Sequence, residues 1–121
     1  TLEQLVPIAE ATQSMALRTF GDGSIFLEKF IPWARHIEIQ VFGFGNGLSV
    51  HMYERDCSIQ RRFQKIIEES PAPGLDATVQ KKMADAAMNL CRVTNYSGAG
   101  TVEFILNTEA QTFYFLELKQ L

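Results

Sequence analysis

The chain has 121 residues, 46% hydrophobic and 21% charged, a size and composition that suit one small globular domain with one core. A formal net charge of −3 supplies no basic footprint for nucleic acid and no polybasic membrane patch. The apolar runs, such as Ile105-Leu106, are far too short to span a bilayer. The opening residues Thr1, Leu2, Glu3 and Gln4 have an acidic, helical style that a signal peptide lacks. Cys57 and Cys91 share neither CxxC nor metal-ligand spacing, which points to a disulfide-free setting, cytoplasm or an organelle matrix.

Residues 1–20 read as a helix, with Leu2, Leu5, Val6, Ala9, Ala16 and Phe20 near one face. Thr1 with Gln4 has the form of a capping box, but Pro7 moves the expected start of the regular helix toward position seven. Gly21, Asp22 and Gly23 end it. Residues 25–31 read as a strand stopped by Pro32. Residues 35–42 alternate, with Ile37, Ile39 and Val41 on one face and His36, Glu38 and Gln40 on the other. A glycine-rich turn at 42–47 and a return strand at 48–55 complete a hairpin.

Residues 56–70 are dense in charge and suggest no regular element, and Pro71-Ala72-Pro73-Gly74 breaks the chain. Asp76 is the N-cap of a second helix carrying Val79, Met83, Ala86, Ala87, Leu90 and Val93. Strands at 101–106 and 112–118 close the sequence as a hairpin. The pattern is α+β, a mainly antiparallel sheet with helices packed on one side.

Glu103 and Glu117 are lone carboxylates in otherwise apolar strands that pair in this scheme. Facing each other they would repel unless a cation such as Mg²⁺ lay between them. By spacing alone, a solvent-facing side of an antiparallel sheet is the commoner explanation. Arg61, Arg62 and Lys65, following Glu54-Arg55-Asp56, suit an anionic substrate, though a salt-bridged surface loop is commoner. His36 and His51 have no serine or cysteine partner of the triad kind. Gly43, Gly45 and Gly47 do not precede a helix, so they make a weak phosphate cradle.

A longer string is more specific. Arg35-His36-Ile37-Glu38-Ile39-Gln40-Val41, the block from Glu54-Arg55-Asp56-Cys57-Ser58 to Ser70-Pro71-Ala72-Pro73, Tyr96-Ser97-Gly98-Ala99-Gly100-Thr101-Val102-Glu103-Phe104 and Phe113-Tyr114-Phe115-Leu116-Glu117 together resemble the biotin carboxylase family over nearly the whole chain. That family includes the carboxylases of acetyl-CoA, propionyl-CoA, pyruvate and urea. The resemblance implies an ATP-grasp fold, with residues 1–31 a remnant of the flap subdomain and hinge strand and 32–121 the central part of the sheet subdomain. It implies use of ATP and Mg²⁺ or Mn²⁺ to activate bicarbonate as carboxyphosphate, with biotin as carboxyl acceptor. A biotinylated carrier domain and a carboxyltransferase are the partners of the complete enzyme.

By the same resemblance, Glu28, Lys29, Phe30 and Ile31 would meet adenine, His36 and Gln60 the ribose, and Lys65 bicarbonate. Glu103 and Glu117 would hold the metal, which reverses the reading from spacing. Arg61 and Arg62 are taken mainly as structural. Two departures stand out: Phe63 where the family often has His, and Lys119 in the place of a metal-binding Asn. The family also continues with residues beyond this chain at both ends, so the isolated chain is expected to be inactive. A carbamoyl-phosphate synthetase is disfavoured by the Glu54-Arg55-Asp56-Cys57-Ser58 block. The alternative from another class is a non-catalytic ATP-grasp remnant serving as a structural or interaction domain.

Overall fold

The computed structural model describes residues 2–120. Two compact units divide the chain, Thr1–Phe30 and Ile31–Leu121.

The first unit is built on helix α1, Leu2–Phe20. The helix runs straight through Pro7, although the proline had pointed to a later start. Pro7 lies in the second turn, where its missing N–H removes only the bond to the carbonyl of Glu3. The proposed capping box rests on Thr1, which lies outside the described residues. Gly21, at φ +77°, ends the helix and donates its N–H to the carbonyl of Leu17 (3.0 Å). Residues 25–31 form no strand, a correction to the sequence reading. Apolar, β-prone residues become a strand only where ladder bonds form, and the strands of the described residues all lie at or beyond Ala34.

The second unit is one antiparallel sheet of β1 (Ala34–Phe44), β2 (Ser49–Arg61), β3 (Gln64–Glu69), β4 (Ser97–Asn107) and β5 (Thr112–Gln120), in the order β3-β2-β1-β4-β5. Helix α2, Ala77–Val93, covers one face. Asp76 caps it as expected, accepting from the N–H groups of Thr78 (2.8 Å) and Val79 (3.2 Å). Val79, Met83, Ala87 and Cys91, four residues apart, bury a stripe against Ile37, Ile39 and Val41 of β1 and Val102, Phe104 and Leu106 of β4. At about 1.5–3 kcal/mol for each large side chain, this interface holds the unit together.

One irregularity of the sheet aims a side chain. Between β1 and β2 the register slips, since Ile39 pairs with Glu54 but Val41 pairs with His51, and Tyr53 takes φ +62°. Glu54 thereby stands on the α2 side, buried, accepting from Ala72 N (3.2 Å) and Gln80 Nε2 (2.8 Å). It ties the loop before α2 to the helix and is not part of any cation cluster for substrate.

Strand β3 was unforeseen: residues 56–70 had suggested no element, yet β2 continues to Arg61 and turns back through Arg62 and Phe63. Both turn residues have positive φ, 52° and 63°, the two-residue hairpin geometry normally made by Asn-Gly or Gly-Gly. With neither at these two positions, the usual turn signal was absent there. Among the described residues no helix is long and apolar enough to cross a membrane.

Candidate functional site

The face of the sheet opposite α2 carries a polar row. Arg55 of β2 pairs with Glu38 of β1, Glu38 with Glu103 of β4, and Glu103 with Glu117 of β5. Strand alternation alone places Glu38 and Glu103 opposite the buried Ile37, Ile39, Val102 and Phe104. Glu117 needs one more device. Phe104 pairs with Phe115 while Glu103 pairs with Glu117, so Leu116 is an extra residue in β5. That bulge moves Glu117 off the side where Phe115 meets Phe104.

Lys65, on β3, reaches across this row. Its ammonium bonds to Glu38 Oε2 and, at 2.7 Å, to Glu103 Oε1. Arg55 bonds to the other oxygen of Glu38 and, at 2.5 Å, to Glu68. Glu38 is fully buried and Glu103 is 2% exposed, so these cations are what makes two ionised carboxylates tenable there. Burial works against the charge on Glu103, but the hydrogen bond and charge of Lys65, with the charges of His36 and Lys119, hold its carboxyl below the ordinary value. Burial likewise opposes the charge on Lys65, and its bonds to Glu103 and Glu38 outweigh it, holding the ammonium above its ordinary value. Cys57, buried beside Glu38, is pushed up to about 12 by burial and by that carboxylate. It is an inert structural thiol.

His36 and Gln60 form the next layer. Gln60 Nε2 donates to the Cys57 carbonyl (2.8 Å), which fixes the amide orientation, and lies 3.0 Å from His36 Nδ1. With Nδ1 accepting, the ring proton sits on Nε2, 2.8 Å from Glu103 Oε2 but without hydrogen-bond alignment. Beside this pair opens a cleft of about 420 Å³, bordered by Arg35, Ser58, Arg62, Phe63, Ile105 and Leu116 as well as His36 and Gln60. Phe63 stands at its rim, 99% exposed.

Five of the residues singled out in the sequence, His36, Gln60, Lys65, Glu103 and Glu117, therefore share one face. Glu28, Lys29 and Phe30 belong to the first unit, and Ile31 is buried in the second. Arg61 and Arg62 had been expected in ion pairs. Among the described residues the ion pairs here are made instead by Lys65, by Arg55 and by Arg35, which holds Asp56 at 2.6 Å. Sequence reasoning missed Glu38 and Arg55. The available signal was parity, since Glu38 lies two residues from His36 on the polar side of β1.

Lys119 follows Glu117 by two residues on β5 and turns to the same side, with Nζ 3.7 Å from Glu103 Oε1 and 3.5 Å from Glu117 Oε1. His36, Glu38 and Glu103 also offer donor atoms within 4.8 Å of one another. Their carboxylate oxygens already meet Arg55, Lys65 and Lys119. The acids of the row are closed by the protein's own cations, an arrangement suited to holding a small anion against Lys65 and poorly suited to a further cation.

Comparison with known proteins gives the wider setting. Residues 1–120 match the family described as carbamoyl-phosphate synthase L chain, ATP binding domain. Biotin carboxylase 1 of Bacillus subtilis is 46% identical over 118 residues, 98% of this chain and 26% of that protein. A biotin carboxylase from Campylobacter jejuni, solved as a complex with β,γ-ATP, is 43% identical with a TM-score of 0.79 over 93% of this chain and 25% of that one. The biotin carboxylase domain of a thermophilic 2-oxoglutarate carboxylase, solved with bicarbonate, is 37% identical with a TM-score of 0.90 over 98% of this chain and 27% of that one. The chain thus spans about a quarter of each of these relatives. It belongs to the family of the carbamoyl-phosphate synthase L chain ATP-binding domain, within its biotin carboxylase group.

Proposed function

We propose that this chain supplies the bicarbonate site and part of the nucleotide site of an ATP-dependent biotin carboxylase. The observation that carries the reading is the Lys65 ammonium, held between two buried carboxylates beside the cleft bordered by His36 and Gln60. An ammonium has three donors. Glu38 and Glu103 take one each, which leaves a third for bicarbonate. Clamped by the two carboxylates and kept charged, Lys65 would fix the anion rather than merely attract it, and positioning is most of what phosphoryl transfer asks of a protein. An oxygen of the held bicarbonate would attack the γ-phosphorus of ATP and ADP would leave; the carboxyl group of the resulting carboxyphosphate would then pass to a ring nitrogen of biotin, as inorganic phosphate leaves and takes up the proton lost from that nitrogen.

His36 and Gln60 are assigned to the ribose, and Glu28, Lys29, Phe30 and Ile31 to adenine. Residues 1–31 would be the flap remnant and hinge, and 32–121 the central part of the sheet subdomain. The Mg²⁺ or Mn²⁺ that the resemblance brings to Glu103 and Glu117 does not fit the residues as they stand, because Lys119 is within ion-pair reach of both, and no step is assigned to a metal there. A biotinylated carrier and a carboxyltransferase would be the partners, in cytoplasm or mitochondrial matrix. Turnover would belong to a longer polypeptide of the relatives' size, and the 121-residue chain alone would not carboxylate biotin.

The competing reading, a non-catalytic ATP-grasp remnant, is favoured by Lys119 and by Phe63, which brings no hydrogen-bonding group to the cleft. Calorimetry of ATP against the purified chain separates the two. Binding that is lost in a His36→Ala, Gln60→Ala variant supports the carboxylase reading, whereas the absence of any binding heat supports the remnant. In a full-length enzyme carrying these residues, Lys65→Ala should depress bicarbonate-dependent ATP hydrolysis more than nucleotide binding. Equal loss of both would make Lys65 structural.

A further inference from the structure

We propose that Lys119 is a built-in counter-ion standing in the divalent-cation position between Glu103 and Glu117, so that this chain binds divalent metal there only weakly. The inference rests on the proposed function only in taking that carboxylate pair as the place where a metal would sit.

The argument begins with the pair itself. Glu103 and Glu117 are directly opposed on neighbouring strands, where like charges destabilise a sheet unless a cation joins them. The bulge at Leu116 forces that juxtaposition. Lys119, two residues further along β5, presents its ammonium to the same face. The ammonium is 3.7 Å from one carboxylate and 3.5 Å from the other. Neither distance is that of a close hydrogen bond. The group acts as a point charge shared by both acids, which is the role a divalent ion would fill.

The remaining contacts of Glu103 add to the case. Lys65 holds its Oε1 at 2.7 Å and His36 approaches its Oε2 at 2.8 Å, so an incoming metal would meet a carboxylate already engaged at both oxygens. It would also have to displace an ammonium that cannot serve as a ligand. Lys119 is 59% exposed and Glu117 54%, so the lysine can swing into solvent. The outcome is competition that lowers affinity, with high metal concentrations still able to win.

The test is a Mn²⁺ titration of the purified chain, reading free Mn²⁺ by electron paramagnetic resonance. Wild type is compared with Lys119→Asn, Lys119→Met and the double variant Lys119→Met/Glu117→Gln, each checked for a native circular dichroism spectrum. Removing a full positive charge from within 4 Å of the site should tighten Mn²⁺ binding by about tenfold or more in both single variants. The double variant should lose that gain. Equal affinity in wild type and Lys119→Met would overturn the proposal. So would a gain confined to Lys119→Asn, because the effect would then be a new ligand and not a removed charge. If a substitution prevents folding, the wild-type titration still decides, since stoichiometric Mn²⁺ binding at micromolar concentrations contradicts a resident counter-ion. ATP calorimetry in the presence of a chelator tests the proposed function separately, and its failure would leave the result for Lys119 standing.

Discussion

Glu103 and Glu117 face each other across β4 and β5 because β5 carries one residue, Leu116, that has no partner in β4. Phe113 and Phe115 both stack edge-on against Phe104 beneath the sheet, so strict alternation would have sent Glu117 into the same apolar layer. The bulge resets the parity. A carboxylate that would have been an unpaired core charge becomes the fourth member of the row Arg55, Glu38, Glu103, Glu117.

Deleting Leu116 is therefore expected to leave Glu117 in the row. Without it Phe115 and Glu117 are consecutive, and plain alternation still sets Phe115 toward Phe104 and Glu117 opposite Glu103. Leu116→Ala keeps the backbone count and removes only a half-exposed side chain. Both variants should lower the thermal midpoint by a few degrees at most. A fall of about 10 °C or more for the deletion alone, by differential scanning calorimetry, would show that the bulge does more than set the parity of Glu117.

Lys65 is expected to matter for stability as well as for anion binding. Lys65→Met keeps length and apolar stem but leaves Glu38 and Glu103 short of a counter-charge in a buried row. Breaking a buried pair from one side costs on the order of 3 kcal/mol. Urea denaturation should show this, and a Lys65→Met/Glu103→Gln double variant should recover part of it. A single variant as stable as wild type would mean that solvent already screens the cluster.

Much of this was legible in the sequence, for identifiable reasons. Helix α2 announced itself through Asp76 and an apolar stripe at helical spacing, and β1 through clean alternation, because one buried face writes its period into the chain. The β2–β3 hairpin was not legible, since Arg62 and Phe63 occupy positive-φ positions that normally advertise themselves as Asn or Gly. Residues 25–31 misled in the other direction: local β propensity was present, but no ladder forms there. At the site, the resemblance supplied Lys65, Glu103 and Glu117 by position. The side taken by Glu38 was written in the alternation of β1, but its pairing with Arg55 and Glu103 emerged only from cross-strand register, which no single strand contains.

Tyr96 offers a test of the packing beneath the end of the sheet. A Cβ at Gly43 would lie 2.1 Å from the Tyr96 carbonyl oxygen, and one at Gly100 would lie 2.3 Å from its hydroxyl. The first obstacle is backbone and cannot move alone, while the second is the tip of a side chain. Gly43→Ala should therefore cost more than about 2 kcal/mol, and Gly100→Ala should be largely relieved in a Tyr96→Leu background. Chemical denaturation of the four variants checks the order, and a Gly43→Ala protein of wild-type stability would contradict the close approach.

The pH profile of stability follows from the same cluster. Burial opposes ionisation of Glu103, but Lys65, His36 and Lys119 together hold its carboxyl below the ordinary 4.5. Its contribution is then complete above pH 4.5 and disappears as pH falls through the lower value of the folded state. Asp56 behaves alike: burial raises it, but bonds from Ser58 and Arg35 win and keep it below 3.8. On the alkaline side, burial and Glu38 push the Cys57 thiol from 9.0 to about 12, so folding keeps it neutral and that preference drains away as pH climbs from about 9 toward 12. Lys65, held above 10.5 by Glu103 and Glu38 despite its burial, adds a further loss beyond that point. Stability should accordingly be flat between about pH 5 and 9 and fall on both sides. Cys57→Ala should flatten the early part of the alkaline fall. In Lys65→Met, burial of Glu103 is no longer outweighed to the same degree, so its share of the acid fall should shrink or reverse. Urea midpoints measured from pH 3 to 11 on the three proteins decide the matter, and an acid limb unchanged by Lys65→Met would show that Lys65 does not govern the Glu103 carboxyl.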